Sequence, residues 1–438
     1  MNLLDIAIRI LEEGPICDHC LGRQFAKLST GLTNEERGGA LKTALAMLGH
    51  QKFKEGDSSL LKRLAPCTKQ ARSILNIDGT DEKCWLCNDL FQSLDVWVQR
   101  SLTLLKKYQY DTFLVCTKVS GLLAENEEIL WAATSSTIWA EPLKSELNRE
   151  IGKLIQEETD KEVDFDRPDI FVLLNLAEDK VELQSSSLFI YGRYKKLARG
   201  IPQTRWSCPL CQGEGCEDCD YKGTLYTTSV EGLMKDPVME FSGGTDVILH
   251  GAGREDIDAL MLGTGRPFVL EVKEPLYRHF DLTDLENSIN RSAENRIEIK
   301  GLGFVEKKMV AEVKTADADK VYRLRLTFSE AVSEEELKAS LDRLCTKIKQ
   351  RTPSRVAHRR SDKVRARTVH FAKLMDLDTE GATICIRCES GLYVKELISG
   401  DDERTNPNLS ELLGTKVWVK ELDVIGVKHA RLKKKNEI

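Results

Sequence analysis

The sequence predicts an α+β protein of several domains: a mixed-sheet C-terminal domain preceded by a metal-stapled accessory region. Three observations point there. The chain has 438 residues, more than one compact core usually holds. Helical periodicity dominates residues 1–90, whereas strand-like alternation dominates the last third. Two cysteine groups, Cys17 to Cys87 and Cys208 to Cys219, punctuate the chain. With 41% hydrophobic and 31% charged residues, it has the balance of a protein with a buried core and a wetted surface. It contains no run of eighteen apolar residues, so no membrane span is expected. Its start, Met1-Asn-Leu-Leu-Asp5, lacks the basic and apolar segments of a signal peptide.

Residues 1–90 read as a helical, metal-binding N-terminal region, in which Thr33 and Glu36 have capping-box spacing ahead of an amphipathic stretch. Residues 91–205 alternate between types. An amphipathic helix is expected from Phe91 to Tyr108, a strand at Thr112–Lys118 and a helix from Leu143 to Glu158. Strands follow at Asp169–Asn175 and Ser187–Gly192. A cysteine knuckle at 206–225 makes a boundary, and residues 226–438 then read as mixed sheet. Strands are expected at Phe268–Lys273, Arg296–Lys300, Val321–Phe328, Lys363–Leu374 and Ala382–Cys388. In Val321–Phe328 the period of two puts Tyr322, Leu324, Leu326 and Phe328 on one face. Ser333 and Glu336 cap a helix carrying Leu337, Leu341, Leu344 and Ile348. A short basic tail, Lys433–Lys435, ends the chain.

Most of the thirteen cysteines fall in Cys-x-x-Cys pairs, which suits reduced thiolates on metal in a cytosol better than a secreted disulfide framework. Cys17, Cys20, Cys84 and Cys87 match a tetrahedral zinc site with no open position, as do Cys208, Cys211, Cys216 and Cys219. Such zinc would staple a fold and activate no water. The first site is the firmer expectation, because four residues between the pairs of the second make a tight loop. Cys385 and Cys388 have odd spacing within an expected strand, which puts their thiols on opposite faces and reads as ordinary core.

The net charge of −6 seems wrong for a nucleic-acid binder until it is localised. Leu122 to Gln184 holds sixteen acids against six bases, and Thr346 to Arg367 holds nine Lys or Arg against Asp362 alone. Salt screens charges beyond about 8 Å, so a phosphate feels the local density rather than the sum.

One loop carries the chemistry. In His250-Gly-Ala-Gly-Arg-Glu-Asp256, glycines surround the triplet Arg254, Glu255 and Asp256. An aspartate preceded by arginine suits an enzyme that extrudes a nucleotide from its stack and attacks it; the plainer alternative is an acidic surface loop or structural ion pair. Asp258 is a rival nucleophile two residues away. Tyr322 is either core or, beside such an aspartate, a surface for a flipped base, a contact worth about 1–3 kcal/mol. In Gly391-Leu-Tyr393-Val-Lys395-Glu-Leu397 an extended reading aligns Tyr393, Lys395 and Leu397 on one face, and a helical reading fits equally well. A lysine there could keep Asp256 ionised and oriented.

These motifs resemble the pseudouridine synthases. Gly253-Arg-Glu-Asp256 is similar to their catalytic loop, Lys320-Val-Tyr322-Arg to their Lys-x-Tyr strand, and Gly391-Leu-Tyr393-Val-Lys395 to their last motif, with Leu392 in place of the usual threonine. Gln350-Arg-Thr-Pro-Ser-Arg-Val-Ala-His-Arg-Arg360 resembles a signature of the archaeal and eukaryotic tRNA pseudouridine synthases numbered ten in the Pus series. Asp169-Ile-Phe-Val and Gly192 through Gln203 resemble that family's THUMP-type RNA-binding domain. The resemblance implies a pseudouridine synthase catalytic domain at 226–438 and a THUMP-like domain at 91–205. It implies Asp256 as nucleophile, Lys395 as its partner and Arg254 as the residue assisting base extrusion. Tyr322 would stack on the uracil, with Tyr393 and Leu397 as further substrate contacts. Arg351, Arg355, Arg359 and Arg360 would follow RNA phosphates. The implied reaction isomerises uridine in the tRNA T-loop, at position 55 and also 54, without metal or organic cofactor; a cytoplasmic location is expected, and the sequence does not specify the oligomeric state.

Two other readings compete. Asp258, Glu271 and Lys273 mimic the Asp…Glu-x-Lys set of magnesium-dependent nucleases. A non-catalytic zinc RNA-binding protein would explain the cysteines and the basic segment alone.

Overall fold

A computed structural model of the chain describes residues 2–119, 121–134, 138–316, 318–359 and 361–429. Arg360 and the basic tail lie outside them. The chain divides into two compact units, Met1–Ser186 and Ser187–Ile438.

In the first unit the expected capping box forms. The Glu36 amide donates to Thr33 Oγ1 at 3.1 Å and the Thr33 amide to Glu36 Oε2 at 2.8 Å, opening a helix over Asn34–Lys54. Strands β1 (Thr112–Lys118), β2 (Glu162–Val163), β3 (Ile170–Asn175) and β4 (Lys180–Ser185) form a sheet in the order β2-β1-β3-β4. β1 and β3 pair in parallel, which needs a long crossover. Helices Gly121–Thr134 and Leu143–Thr159 supply it. Leu45 and Leu61 from the first helices share one core with Phe113, Ile151 and Val172. Burying side chains of this size stabilises by about 1.5–3 kcal/mol each.

The second unit holds β5 (Leu188–Lys196), β6 (Asp246–Gly251), β7 (Leu260–Lys273), β8 (Ile297–Val305), β9 (Ala318–Phe328) and β10 (Lys347–Arg351). It continues with β11 (Val364–Asp378), β12 (Gly381–Cys388), β13 (Thr405–Asn406) and β14 (Val417–His429). The sheet order is β13-β10-β11-β12-β9-β14-β7-β5-β8, with β6 added on β7. Most pairs are antiparallel, but β14 meets β7 in parallel through Asp423 and Leu260, so the sheet is mixed. The expected alternation of β9 holds: Tyr322, Leu324 and Leu326 face the core while Arg323 is exposed. Ser333 and Glu336 form their capping box, and Leu337, Leu341 and Leu344 join that core.

Two expectations are corrected. β5 and the residues up to Gln203 belong with the second sheet rather than with the strands before them. β5 pairs along its length with β7 and β8, satisfying its backbone there. The segment after Gly391 is not extended: Tyr393 precedes a helix over Val394–Ser399. Its apolar residues Val394, Leu397 and Ile398 are all buried, at helical spacing.

Candidate active site

The Arg254–Asp256 triplet lies in the loop joining β6 to β7. Its three side chains have three different fates. Arg254 is exposed, Glu255 is buried, and Asp256 lies between these extremes. Gly253 has φ +78, a left-handed conformation that favours glycine, and an added Cβ would stand 3.3 Å from Arg266 Nη1 and Lys320 Nζ.

Glu255 anchors the loop. It accepts from Arg266 Nε at 2.7 Å and from the Tyr194 hydroxyl at 2.8 Å, and both carboxylate and guanidinium are 1% exposed. Arg266 Nη1 also donates to the Ala252 carbonyl at 2.6 Å. Burial opposes the charge on Arg266, yet Glu255 holds its guanidinium above its usual value. Burial, with Glu255 beside it, pushes the Tyr194 phenol up, so it stays a donor. Gln203 Nε2 donates to Tyr194 Oη at 2.9 Å and to the Gly253 carbonyl at 3.0 Å. Lys196, fully buried, donates to the carbonyls of Ile201, Asp256 and Ile257 at 2.9, 3.1 and 2.9 Å. Burial depresses its pKa.

Thus held from behind, Asp256 faces two cations. Lys395 Nζ lies 3.4 Å from its Oδ2, and Arg355 Nη1 lies 3.5 Å from its Oδ1. Lys395 is nearer to Asp258, at 2.9 Å, and although burial works the other way, this ammonium keeps Asp258 below the usual carboxylate range. Asp258 is the more exposed of the two, at 67% against 37% for the side chains. Tyr322, 9% exposed, pairs with Ile386 and Val424 across β9. Burial foremost, with the charges of Cys388 and Asp256, raises its phenol.

The geometry alters several residue assignments. Arg355 is drawn into the carboxylate cluster: its Nε donates to Glu396 at 2.5 Å and its guanidinium lies 5.9 Å from the centre of the Tyr393 ring. Burial opposes this charge, but Glu396 keeps it above its ordinary value. Leu397 is fully buried in the core, so it supports the helix carrying Lys395 instead of offering a surface. Arg351 is exposed and engaged by Asp362. Arg359 ends a short 3-10 helix, Ser354–Arg359. Sequence reasoning did not single out Glu255 as a buried anchor, nor Arg266, Tyr194, Lys196 and Gln203. The available signal was charged and polar residues within otherwise apolar strands.

The nuclease set does not converge. Glu271 lies within β7 opposite Ile248, bonded to His250 Nε2 at 2.9 Å and Lys273 Nζ at 2.5 Å, while Asp258 turns to Lys395. Among the described residues, only the two cysteine sets bring three or more possible metal ligands together.

Within each cysteine set the ligand atoms lie inside 4.8 Å of one another. The Cys17–Cys87 sulfurs are 3.7 Å apart, and the Cys208–Cys216 and Cys211–Cys219 sulfurs 3.8 Å. A tetrahedron with metal–sulfur bonds of about 2.3 Å requires edges of about 3.8 Å. Donors surround the sulfurs as they would thiolates. Arg23 Nη1 lies 3.1 Å from Cys20 Sγ, and the amides of Cys216 and Gly223 each lie 3.2 Å from Cys219 Sγ. The Cys216 amide foremost pulls the Cys219 thiol down to about 7. Both sets could hold a metal ion with every position filled by sulfur. Cys385 and Cys388 join neither set.

A family model described as Pus10, C-terminal, matches residues 189–428, and one described as Pus10 THUMP domain, archaeal, matches residues 97–175. Gly192 to Gln203 therefore falls within the C-terminal match. The tRNA pseudouridine synthase Pus10 of Methanothrix thermoacetophila is 49% identical over 428 residues, covering 97% of this chain and 94% of that protein. Its namesake in Halorubrum lacusprofundi is 40% identical over 435 residues, covering 98% and 96%. That of Methanocaldococcus jannaschii is 40% identical over 438 residues, covering 97% and 95%.

Two outcomes are expected from this geometry. Arg266→Met leaves Glu255 buried without its cation and should cost about 3–5 kcal/mol in denaturant unfolding. The second concerns Glu271, for which burial is outweighed by Lys273 and His250, holding the carboxyl at about 2 against an ordinary 4.5. A depressed folded-state value gives stability that is complete above about 4.5 and lost as pH falls toward 2. Glu271→Gln should therefore be less stable than wild type at pH 7, with the two converging near pH 2 in acid-unfolding curves.

Proposed function

Because the chain belongs to the Pus10 family of pseudouridine synthases, we propose that it isomerises uridine to pseudouridine in the T-loop of tRNA, at position 55 and also 54, with Asp256 as nucleophile. One observation carries this reading: Asp256 stands on a braced loop, with Lys395 at 3.4 Å and Arg355 at 3.5 Å. The loop sets the carboxylate's position, and Lys395 and Arg355 flank it with positive charge. Arg254, exposed beside it, can fill the stack that the uridine leaves. Tyr322, with Tyr393 at the helix start, gives the loosened base an aromatic surface.

In the reaction the bond from the ribose C1′ to N1 of the base breaks, the uracil turns, and C1′ bonds to C5. C5 gives up its proton and N1 ends with one, so substrate and product have the same atoms and no co-reactant is consumed. Asp256 either adds to C1′ or takes a proton from the sugar, and in both routes its ionised form acts. Arg351, Arg359 and Arg360 extend the basic segment beyond Arg355 and would follow the RNA backbone. The separation of Glu271 from Asp258 removes the basis for a magnesium nuclease. Each cysteine set fits structural zinc, which would supply no catalytic step and would hold its loop.

The decisive experiment maps pseudouridine chemically on an unmodified tRNA transcript. Wild-type protein should produce signal in the T-loop, in EDTA as well as without it. Asp256→Asn should slow conversion by about 10³-fold or more, the scale of losing a covalent nucleophile. Equal signal from both proteins would remove Asp256 from the reaction. Cleaved transcript that EDTA protects would instead revive the nuclease. Metal analysis should find two zinc ions per chain, falling to one in a Cys208→Ser/Cys211→Ser variant; unchanged zinc there would show the second set to be free thiols.

A further inference from the structure

The knuckle at Cys208–Cys219 has no part in the chemistry above, yet its chain ends lead to the catalytic loop. Trp206 enters it and Tyr226 leaves it. The Leu225 amide donates to the Trp206 carbonyl at 2.9 Å, Ser207 bridges Thr224, and the Cys208 amide donates to the Gly223 carbonyl at 3.0 Å. This short ladder sets the two rings edge to face, with centroids 5.8 Å apart and planes at 79°. Over the Trp206 ring lies the Arg254 guanidinium, 5.1 Å from its centroid. The knuckle itself carries Glu214, Glu217, Asp218 and Asp220 against Lys222 alone. Added to four thiolates, that charge repels phosphate, so an RNA backbone contact is a poor account of it.

We propose that Trp206 is a positioning residue for Arg254. Its ring, fixed at the mouth of the knuckle, holds the guanidinium of a residue two positions before Asp256 in the same loop, ready to enter the RNA stack as the uridine leaves. The inference rests on the assignment of Arg254 to extrusion made above. A cation–π contact at an exposed arginine corresponds to about a 2- to 5-fold effect.

The test uses the full-length, metal-loaded protein and a tRNA transcript carrying 2-aminopurine beside the target uridine. Base opening is followed by fluorescence in an Asp256→Asn background, and single-turnover conversion with Asp256 present. Trp206→Leu should slow both about 2- to 5-fold with tRNA affinity and zinc content unchanged, whereas Trp206→Phe should recover most of the rate. In a double-mutant cycle, Trp206→Leu should add no further loss to Arg254→Ala. Wild-type opening in Trp206→Leu, or losses that multiply with those of Arg254→Ala, would overturn the proposal. If Trp206→Leu sheds zinc, Trp206→Phe takes its place in the cycle. There a small slowing that disappears with Arg254→Ala supports the proposal, and none overturns it. Normal opening in Arg254→Ala would instead sink the extrusion role itself.

Discussion

The buried pair between Glu255 and Arg266 is the constraint on which the site depends. A carboxylate and a guanidinium, each 1% exposed, persist in a core only if their remaining hydrogen-bonding groups are met. Tyr194, from the neighbouring strand, and the Ala252 carbonyl meet them here. The arrangement ties the loop bearing Asp256 to β5 and β7, so that carboxylate takes its position from the sheet. Lys196 repeats the device one strand away by donating to three carbonyls, two of them in the loop. A surface turn with the same three charges would have no such reference.

The same logic explains the crowding around Asp256. With the backbone tied to the sheet, cations come to the carboxylate from elsewhere: Lys395 from a short helix and Arg355 from the basic segment. Glu396, 5% exposed, keeps Arg355 from being an isolated charge. Three carboxylates, Asp258, Asp256 and Glu396, alternate with two cations, Lys395 and Arg355, across the site, so the cluster keeps one formal negative charge in excess.

Much of this was legible in sequence, and the failures have physical causes. Alternation identified β1 and the inward face of β9, and capping boxes at Thr33 and Ser333 located two helix starts, because each signal is local. Asp256, Tyr322 and Lys395 could be singled out because their neighbours form recognisable motifs. Glu255 was read as one of three charges of one kind, since no local pattern distinguishes a buried acid from an exposed one; its partner lies eleven residues on, in another strand. Gly391 to Leu397 carries apolar residues compatible with both periods, and only its packing chose the helix. β5 looked like the end of the preceding unit because chain order is silent about which sheet a strand will join.

A carboxylate whose loop is fastened on its inner side to a sheet has little freedom to travel. Lid-closing enzymes bring their groups to a resting substrate; under the function proposed above the division of labour would be reversed. The polynucleotide would supply the motion, unstacking and swinging its ribose onto the Asp256 oxygen. Discrimination would then fall to whichever tRNA segments yield most readily, making a supple loop a better substrate than a stiff stem of the same letters.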